Sequence, residues 1–357
     1  MRCYINKRIV IFGWADSVHV QRWARGLTKR GYEIKIISLG GKPLSDIESV
    51  IIPRKQKLSY FTQAATAVKE ANRFKPDLLH AHYASGFGLW SYFTNIKPTV
   101  LSVWGADIID FPSNPLSKYF IQKILQKADH VTATSNLLKV FALKYLSQTP
   151  EKISVIPFGV EIPENIIPQP DTGFKICYIK GHRKKYGPDI LLRAIYKIKD
   201  KVPDVKLTIA GEGEMTASLK QMVKDLNLES SVYFAGFVAN DQIYSLLKKH
   251  HLMVMPSVME SESFGVAVLE SYACGRPVIA SKIGGVPEIV VNNETGILVS
   301  PENVNELADT IIKLATDRNL CANMGINGYN FVKDNFDWEQ SLDKMSELYE
   351  RLIYERQ

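Results

Sequence analysis

The sequence predicts an α/β protein built from two doubly wound domains, and three observations support this prediction. The chain has 357 residues, which is long for one hydrophobic core and sufficient for two. Short apolar runs alternate with amphipathic segments along most of its length, a pattern that indicates parallel strands connected by helices. A segment with three prolines and little periodicity, residues 161–173, divides the alternation into two series and is predicted as an interdomain linker.

The first series occupies residues 8–160. An amphipathic helix is predicted from Val20 to Gly31, where the glycine suits the left-handed residue that ends many helices. A second helical segment covers 115–129. Short runs rich in branched apolar residues predict buried strands at 8–13, 32–39, 76–82, 98–105, 130–135 and 152–160.

The second series begins after the linker and repeats the same alternation. Its last segment, Trp338 to Ile353, carries apolar residues at helical spacing and is predicted as a terminal helix. Strands are predicted at 174–180, 205–214, 231–238, 251–256 and 276–281.

Residues 254–288 form the most informative segment of the chain. The segment is predicted as a strand, an acidic loop, a helix from about Gly265 to Gly275, a second strand and a Gly-Gly loop. Glu262 lies in the loop and Glu270 eight positions later in the helix. The amides of residues 263–265 fall at the helix N-terminus, where a phosphate can bind. Such a site, with carboxylates to accept bonds from hydroxyl groups, suits a sugar nucleotide.

This segment resembles the signature of family 4 retaining glycosyltransferases, which have the GT-B fold. Two glutamates separated by seven residues define that signature, and SFGVAVL fills the gap here. The resemblance implies that Glu262 faces the transferred sugar and that Glu270 holds the nucleotide ribose. An ordinary βα unit with two solvated glutamates is the alternative. The resemblance covers nearly the whole chain, with PDLLHAH, ADHVTATS and TIAGEGE as further landmarks.

The GT-B fold consists of two Rossmann-like domains that face a central cleft, and the resemblance implies boundaries for both. Residues 1–165 would form an acceptor-binding domain, to which a C-terminal helix at 338–357 crosses back. Residues 170–337 would form the domain that binds the nucleotide-sugar donor.

The loop GHRKKYG carries the cations expected at the donor site. By resemblance, Lys180 occupies a position at which the family usually has arginine, and Lys185 occupies the position of the family lysine. Two cations can neutralise a departing diphosphate, and Arg183 is expected to share this task because lysine lacks the planar fork of arginine. A solvated basic loop is the alternative. The remaining donor-binding residues are predicted to be Phe264, Gly265, Val266, Gly211 and Val238.

The acceptor side departs from the family pattern after the first strand. Paired glycines are usual there, whereas this chain has Gly13 followed by Trp14, and then the predicted acceptor residues Asp16 and Ser17. His19, at the start of the next helix, occupies a position where the family often has histidine. Asp16 is equally interpretable as the N-cap of that helix.

A second departure follows the strand 98–105, where many relatives carry a histidine that touches the sugar. This chain has Trp104 there, and we predict that the nearby Asp107 contacts a sugar hydroxyl or orients the acceptor; capping of the next turn is the alternative. His82 is predicted to contact the acceptor. Of His80 and His82 we expect one to point towards the cleft and the other into the core.

Neither a cofactor nor a divalent metal is expected, and the nucleotide-sugar serves as a co-substrate. No Asp-x-Asp pair occurs, and no Cys/His/Asp cluster has the spacing of metal ligands. The third glycine of a dinucleotide motif is missing after both Gly13 and Gly211, which argues against a nicotinamide-dependent oxidoreductase. The four cysteines (Cys3, Cys177, Cys274 and Cys321) are far apart, and no signal-peptide pattern is present, so we expect a reducing cytoplasm.

Charge is distributed unevenly along the chain. Residues 1–150 contain 21 Lys and Arg against 9 Asp and Glu, whereas the remainder contains 23 against 28. No nucleic-acid-binding signature is present, so an anionic membrane surface is the better predicted partner of the basic half. Aromatic and basic residues mingle at 59–63, 87–93 and 115–127, which suits a membrane surface and suits a buried core equally well.

The predicted function is retaining transfer of a sugar from a nucleotide-sugar to a saccharide or lipid-linked acceptor, in cell-envelope polysaccharide or glycolipid synthesis. The predicted location is cytoplasmic, peripheral on the inner face of the membrane. Two alternatives stay open: a nucleotide-sugar epimerase with the GT-B fold, and a protein that binds sugar nucleotides without catalysis.

Overall fold

The computed structural model describes residues 7–54, 56, 58–147 and 149–356, so Cys3 lies outside the described residues. The chain divides into two compact units. The first unit comprises Met1–Phe158 and Glu339–Gln357, and the second comprises Gly159–Trp338. The segment 161–173, which we predicted as a linker, lies within the second unit.

The first unit contains a seven-stranded sheet among its described residues, in the order β3-β2-β1-β4-β5-β6-β7, with every pairing parallel. The strands are β1 (Arg8–Phe12), β2 (Glu33–Leu39), β3 (Glu48–Ile52), β4 (Leu78–His82), β5 (Thr99–Val103), β6 (His130–Ala133) and β7 (Ile153–Val155). The helices are α1 (Val18–Lys29), α2 (Ser59–Thr62), α3 (Ala64–Phe74), α4 (Phe87–Phe93), α5 (Pro115–Lys127) and α6 (Asn136–Tyr145), with a 3-10 turn at Pro150–Lys152.

The second unit contains a parallel sheet of six described strands, in the order β10-β9-β8-β11-β12-β13. The strands are β8 (Phe174–Ile179), β9 (Val205–Ala210), β10 (Val232–Gly236), β11 (Leu252–Met255), β12 (Val278–Ser281) and β13 (Gly296–Val299). The helices are α7 (Pro188–Ile198), α8 (Thr216–Asp225), α9 (Ile243–Leu247), α10 (Val266–Ala273), α11 (Val304–Thr316) and α12 (Arg318–Asn335), with 3-10 turns at Lys184–Tyr186, Asn240–Gln242 and Val286–Glu288. Helix α13 (Trp338–Tyr354) follows.

Both sheets confirm the predicted doubly wound α/β architecture. In each sheet the chain adds strands outwards in one direction and then returns to the middle to build the other half. The reversal occurs between β1 and β4 in the first sheet, and between β8 and β11 in the second. Because the loops after two such strands lead to opposite faces of the sheet, they leave a crevice at the carboxyl ends, where ligands of doubly wound proteins bind.

Helix α13 packs on the first unit through specific contacts. A Cβ on Gly26 would lie 2.6 Å from Leu342 Cδ2, so the glycine allows α1 and α13 to approach closely. Tyr349 is fully buried, and its hydroxyl forms a hydrogen bond with Nδ1 of His80. The hydroxyl of Tyr32 donates to Glu350 Oε1 at 2.9 Å.

Arg276 holds the proline-rich segment against the second unit. Its side chain is fully buried, and the guanidinium donates to the carbonyls of Ile167 at 2.8 Å, Pro168 at 3.0 Å and Lys248 at 2.9 Å. A buried guanidinium requires several acceptors, and irregular backbone can supply them. These bonds explain why the segment belongs to a compact unit although its sequence lacks periodicity.

Membrane-spanning helices, metal-binding groups and disulfides are absent from the described residues. No helix among them is long and apolar enough to cross a membrane. They include no group of three or more His, Cys, Asp or Glu side chains that could hold a metal ion. The three described cysteines (Cys177, Cys274 and Cys321) are buried and form no disulfide.

Candidate active site

An ion pair lies at the switch point of the second sheet. Lys180 directly follows β8, and Glu262 lies in the loop between β11 and α10. The Nζ of Lys180 lies 3.0 Å from Oε1 and 2.9 Å from Oε2 of Glu262. The hydroxyl of Ser257 donates to Oε2 of Glu262 at 3.1 Å. The Glu262 side chain is only 7% exposed and that of Lys180 is 21% exposed, so the pair is largely shielded from water.

Lys180 is held in its charged form by the surrounding carboxylates. Burial lowers the pKa of Lys180, but the charge and hydrogen bond of Glu262, with a smaller contribution from the charge of Glu270, raise it above its usual value. Glu270 lies inside α10, so the loop glutamate and the helix glutamate act on the same ammonium group. The second unit therefore brings Glu262, Glu270 and Lys180 into one electrostatic cluster.

Close backbone contacts hold the loops around this cluster. Gly211 has a φ of +126°, and a Cβ there would lie 2.2 Å from the carbonyl oxygen of Lys180. The Gly211 N–H donates to the carbonyl of Gly236 at 2.8 Å, and that of Val258 donates to the carbonyl of Lys185 at 2.9 Å. The loops that follow β8, β9 and β11 are thus connected to one another or to the end of β10. Val238, two residues beyond Gly236, is half-buried in the loop after β10.

The Gly-Gly loop after β12 supports the acidic loop. The Gly284 N–H donates to Glu260 Oε2 at 3.0 Å, and the Gly285 N–H donates to the carbonyl of Glu262 at 2.9 Å. A Cβ on Gly285 would lie 2.0 Å from the carbonyl oxygen of Ser263, which only glycine permits. The two glycines therefore fix the backbone that carries Glu262.

Helix α10 begins without a side-chain cap. Its N-cap, Gly265, has a φ of +85° and lacks a side chain, so the first turn receives no side-chain cap bond. The first N–H groups of a helix have no acceptor within the helix and carry partial positive charge, which suits an anion. Val266 is the first helical residue. Phe264 is buried, and its ring lies 5.9 Å from that of Phe336, so its side chain serves packing.

The lysines at the end of β8 and in the basic loop after it make different contacts. Lys185 and Lys180 each place Nζ 5.0 Å from the centre of the Tyr186 ring, so both ammonium groups lie close to the same aromatic side chain. Lys185 forms no ion pair among the described residues. Lys184 instead pairs with Asp189 at 2.7 Å. Arg183 is exposed, so the structure places it at the rim of the loop.

In the first unit, three of the predicted acceptor residues meet in an aromatic cluster. The ring of His19 stacks on Phe158 at 4.2 Å and lies 5.8 Å from that of Trp104. The ring of His82 lies 4.9 Å from that of Trp104. Burial, followed by the charges of two neighbouring histidines, lowers the pKa of His82 well below its usual value, so this ring is neutral near pH 7.

The expectation that His80 and His82 face opposite ways was wrong. Residues two apart on a strand point to the same face, and the two rings stack at 4.1 Å with both side chains buried. His80 is bonded through both nitrogens, to Tyr349 and to Ser102. Neither ring nitrogen of His82 has a partner among the described residues.

Two predicted acceptor carboxylates have structural partners. Asp107 is fully buried and accepts bonds from the N–H groups of Ala84 at 2.8 Å, Trp104 at 3.1 Å and Gly105 at 2.8 Å. Burial raises its pKa although these N–H groups favour the ionised form. These bonds join the preceding turn, at Trp104 and Gly105, to the loop after β4, so Asp107 does not cap the next turn. Its contact with a sugar hydroxyl stays a prediction.

Asp16 does not cap helix α1. Its Oδ1 accepts a bond from the N–H of Lys42 at 2.9 Å, which connects the loops after β1 and β2. The N-cap is Ser17, whose side chain makes no capping bond. Asp16 is exposed and Ser17 is half-exposed, so both remain accessible at the carboxyl edge of the first sheet.

Sequence reasoning missed Ser257 and Tyr186 as members of the lysine–glutamate cluster. Ser257 lies just beyond β11, where polar residues of doubly wound sheets commonly approach a ligand. This position in the sequence could have identified Ser257 as a site residue. The part played by Tyr186 depends on the fold of the loop, because its ring lies near two lysines that are five residues apart.

Two family models match the chain. The model described as glycosyl transferases group 1 matches residues 161–331, and the model described as glycosyl transferase 4-like matches residues 8–135. Among curated relatives, N-acetyl-alpha-D-glucosaminyl L-malate synthase of Bacillus anthracis is 29% identical over 352 residues, covering 90% of each chain. The GDP-mannose-dependent alpha-(1-6)-phosphatidylinositol monomannoside mannosyltransferase of Mycolicibacterium smegmatis is 28% identical over 256 residues, covering 66% of this chain and 65% of its own.

Solved structures agree with the fold. The crystal structure of Anabaena HepE in complex with UDP-glucose superposes with a TM-score of 0.81 at 20% identity, covering 97% of this chain and 100% of that one. At this identity the match concerns the fold alone. The fold inferred from the resemblance, GT-B with two Rossmann-like domains, is confirmed.

Proposed function

We propose, because this chain belongs to the group 1 glycosyl transferases, that it moves a hexosyl group from a nucleotide-sugar to a saccharide or lipid-linked acceptor. We propose further that transfer retains the anomeric configuration and needs no divalent metal. One observation carries the proposal: the Lys180–Glu262 pair lies at the switch point of the second sheet, and Glu262 belongs to the loop that leads to the uncapped start of α10.

In this proposal the second unit binds the donor. The N–H groups at the start of α10 receive the diphosphate, and Glu262 accepts bonds from sugar hydroxyls. The family resemblance assigns the ribose to Glu270. The relatives support a nucleoside diphosphate sugar, since HepE was solved with UDP-glucose and the Mycolicibacterium smegmatis enzyme depends on GDP-mannose.

The proposed chemistry relies on the leaving diphosphate. The bond between the anomeric carbon and the phosphate oxygen breaks, and the acceptor oxygen forms its bond on the same face of the sugar. The acceptor proton passes to the departing phosphate oxygen. Negative charge grows on the diphosphate during this step, and Lys180 and Lys185 oppose it in a partly shielded site, where such stabilisation is most effective. The sequence offers no pair of carboxylates placed as in retaining hydrolases.

The first test is a thermal-shift screen of nucleotide sugars followed by product analysis. A ligand at about 100 times its Kd stabilises a folded protein by about 2.7 kcal/mol, so the matching donor should raise Tm measurably. With an α-linked donor, NMR of the product should show an α-glycoside. A β-glycoside would refute retention, and an epimerised nucleotide-sugar without any glycoside would favour the epimerase alternative.

We also propose that the first unit contacts an anionic membrane from the cytoplasmic side, in the synthesis of envelope polysaccharide or glycolipid. The sequence of this unit contains 25 Lys and Arg against 15 Asp and Glu, a net charge of +10. Electrostatic attraction of this kind weakens as salt screens it. The protein should therefore co-float with liposomes containing phosphatidylglycerol and not with neutral ones, and should be released by 1 M salt. Flotation with neither type would contradict the proposal.

A further inference from the structure

The first unit contains an apolar cavity of about 540 Å³ beside the carboxyl ends of β1 and β4. Trp14 follows β1 and Tyr83 follows β4, and both line it; the remaining walls come from α2, the start of α4 and one face of α5. Its volume falls within the range of about 300–1,000 Å³ that is usual for small-molecule sites. This cavity lies at the switch point of the first sheet, where doubly wound proteins place ligands.

Several polar groups in the cavity wall already have partners. Asn114 and Ser117 form a reciprocal capping box at the start of α5, and the carbonyl of Tyr60 accepts a bond from the indole N–H of Trp90 at 2.8 Å. Burial raises the pKa of the Tyr60 hydroxyl to about 12, so it carries no charge. The wall thus offers mainly apolar surface and no buried ionised side chain among the described lining residues.

The rim of the cavity exposes large apolar side chains. Leu58, Phe61, Phe111 and Leu116 line it, and each is between 49% and 65% exposed to solvent. Single exposed apolar residues are common, but a group of them around one cavity marks a surface that binds a ligand, a membrane or another protein. A concave apolar site of this volume suits a flexible hydrocarbon chain better than it suits a flat protein surface.

The segments that carry this rim are strongly basic. The described residues among 53–75 and 110–127 include seven Lys and Arg against two acids, Glu70 and Asp110. The Arg54 guanidinium lies 5.8 Å from the centre of the Trp14 ring, which lines the cavity. Arg73 is paired with Glu70. Lysine and arginine stems can lie along apolar surface while their charged ends reach an anionic group in water.

We propose that this cavity holds the hydrocarbon chain of an anionic lipid acceptor, whose headgroup is held by Arg54 and the other basic side chains of the segments beside the rim. The inference rests on the proposed function and deepens it, because it narrows the acceptor from any saccharide to an amphiphile. The positive charge of the segments beside the rim favours an anionic lipid over a second copy of the first unit, which would bring its own basic segments against these.

The test is calorimetric titration of the full chain with n-alkyl phosphates of four to ten carbons, each below its critical micelle concentration. Burial of hydrocarbon should strengthen binding about fourfold for each added methylene until the cavity is full. Heat capacity should fall on binding, as it does whenever apolar surface is buried. Affinity that does not depend on chain length would overturn the proposal.

Two variants localise the effect. Ser85→Phe should fill the cavity, and Leu116→Glu should place a negative charge on the rim at a helix N-terminus that tolerates acids. Each should weaken decyl phosphate binding at least tenfold. Val140→Glu is the matched control, because Val140 is 55% exposed on α6, away from the cavity lining, and this change should leave binding unaltered.

Donor binding, measured by thermal shift in the same preparations, separates the two proposals. If alkyl phosphates bind with an affinity that depends on chain length but no nucleotide-sugar binds, the cavity assignment is supported and the transferase proposal is contradicted. If a nucleotide-sugar binds but the alkyl phosphate affinity depends neither on chain length nor on the two cavity variants, the cavity assignment is contradicted and the transferase proposal is supported. A dimer that Leu116→Glu dissociates would assign the rim to a second copy and would overturn the lipid assignment.

Discussion

Replacing Glu262 by glutamine should lower kcat/KM for sugar transfer by about 100-fold or more. The carboxylate holds Lys180 at 2.9 and 3.0 Å, and in our proposal it also accepts bonds from the transferred sugar. Glutamine keeps the size of the side chain but removes its charge and one strong acceptor. Loss of a single preorganised group at a developing charge costs about 10²–10³ in rate. Steady-state kinetics with the matched donor is the measurement.

The same substitution should also reduce stability. Ser257 and Lys180 both donate to Glu262, so a neutral partner weakens two bonds in a shielded site. We expect the Gln variant to lose about 1–3 kcal/mol of unfolding free energy. Glu262→Ala should lose more, because breaking a buried ion pair leaves the charge of Lys180 unpaired. The loss should not exceed about 3–5 kcal/mol, since the Lys180 side chain is 21% exposed and water can partly solvate its charge.

Glu260→Gln is the matched control for this prediction. Glu260 lies two residues earlier in the same loop and is exposed. Among the described residues its side chain accepts one bond, from the Gly284 N–H at 3.0 Å, which an amide oxygen can also accept. Its activity should stay within about threefold of the parent. Equal losses in the two variants would show that the loop conformation, and not the carboxylate of Glu262, limits the rate.

Replacing Lys185 by glutamine should lower kcat about 100-fold with little change in stability. Lys185 forms no ion pair among the described residues, and its contact with the Tyr186 ring at 5.0 Å is worth only about 0.5–1 kcal/mol. In the proposed reaction its charge opposes the charge that grows on the leaving diphosphate, so the loss belongs to the transition state. Kinetics and chemical denaturation of the same preparations measure the two effects.

For the neighbouring Lys184 we expect the opposite result, a loss of stability with little change in kcat. It pairs at 2.7 Å with Asp189, whose side chain is only 10% exposed, so Lys184→Gln leaves that carboxylate without its ion-pair partner. We expect Lys184→Gln to lower the unfolding midpoint and to keep near-parental kcat. If Lys185→Gln retains full kcat, or if the two variants lose activity alike, the role of Lys185 in neutralising the diphosphate must be abandoned.

The sequence contained the fold class and the donor-side motif because both are encoded locally. Alternating apolar runs predicted parallel strands, and eleven of the thirteen described strands fall at predicted positions. The two that were missed, β3 and β13, are short and lie at sheet edges, and Glu48 and Ser49 at the start of β3 break its apolar pattern. Strand β13 is an apolar run of only four residues, GILV, which is too short for periodicity to distinguish it from a loop.

The acceptor-side residues were harder to predict because their roles depend on distant backbone. Asp107 accepts an N–H from Ala84, 23 residues away, and Asp16 accepts one from Lys42. A carboxylate close to a strand end has the same local pattern whether it binds a ligand or caps a loop. Only the position of the second loop distinguishes the two, and that position follows from strand order.

By itself, the sequence determined the two parallel sheets, the glutamates spaced by seven residues and the glycines that precede and follow them, since periodicity and backbone freedom are properties of neighbouring residues. The tertiary structure decided that Lys180 meets Glu262 across 82 positions of chain, that Arg276 draws the proline-rich segment into the second unit, and that a cavity opens beside β1 and β4. These features depend on which strands become neighbours. The order of the strands is set by burial of all of them together, so it cannot be recognised from any pattern of neighbouring residues.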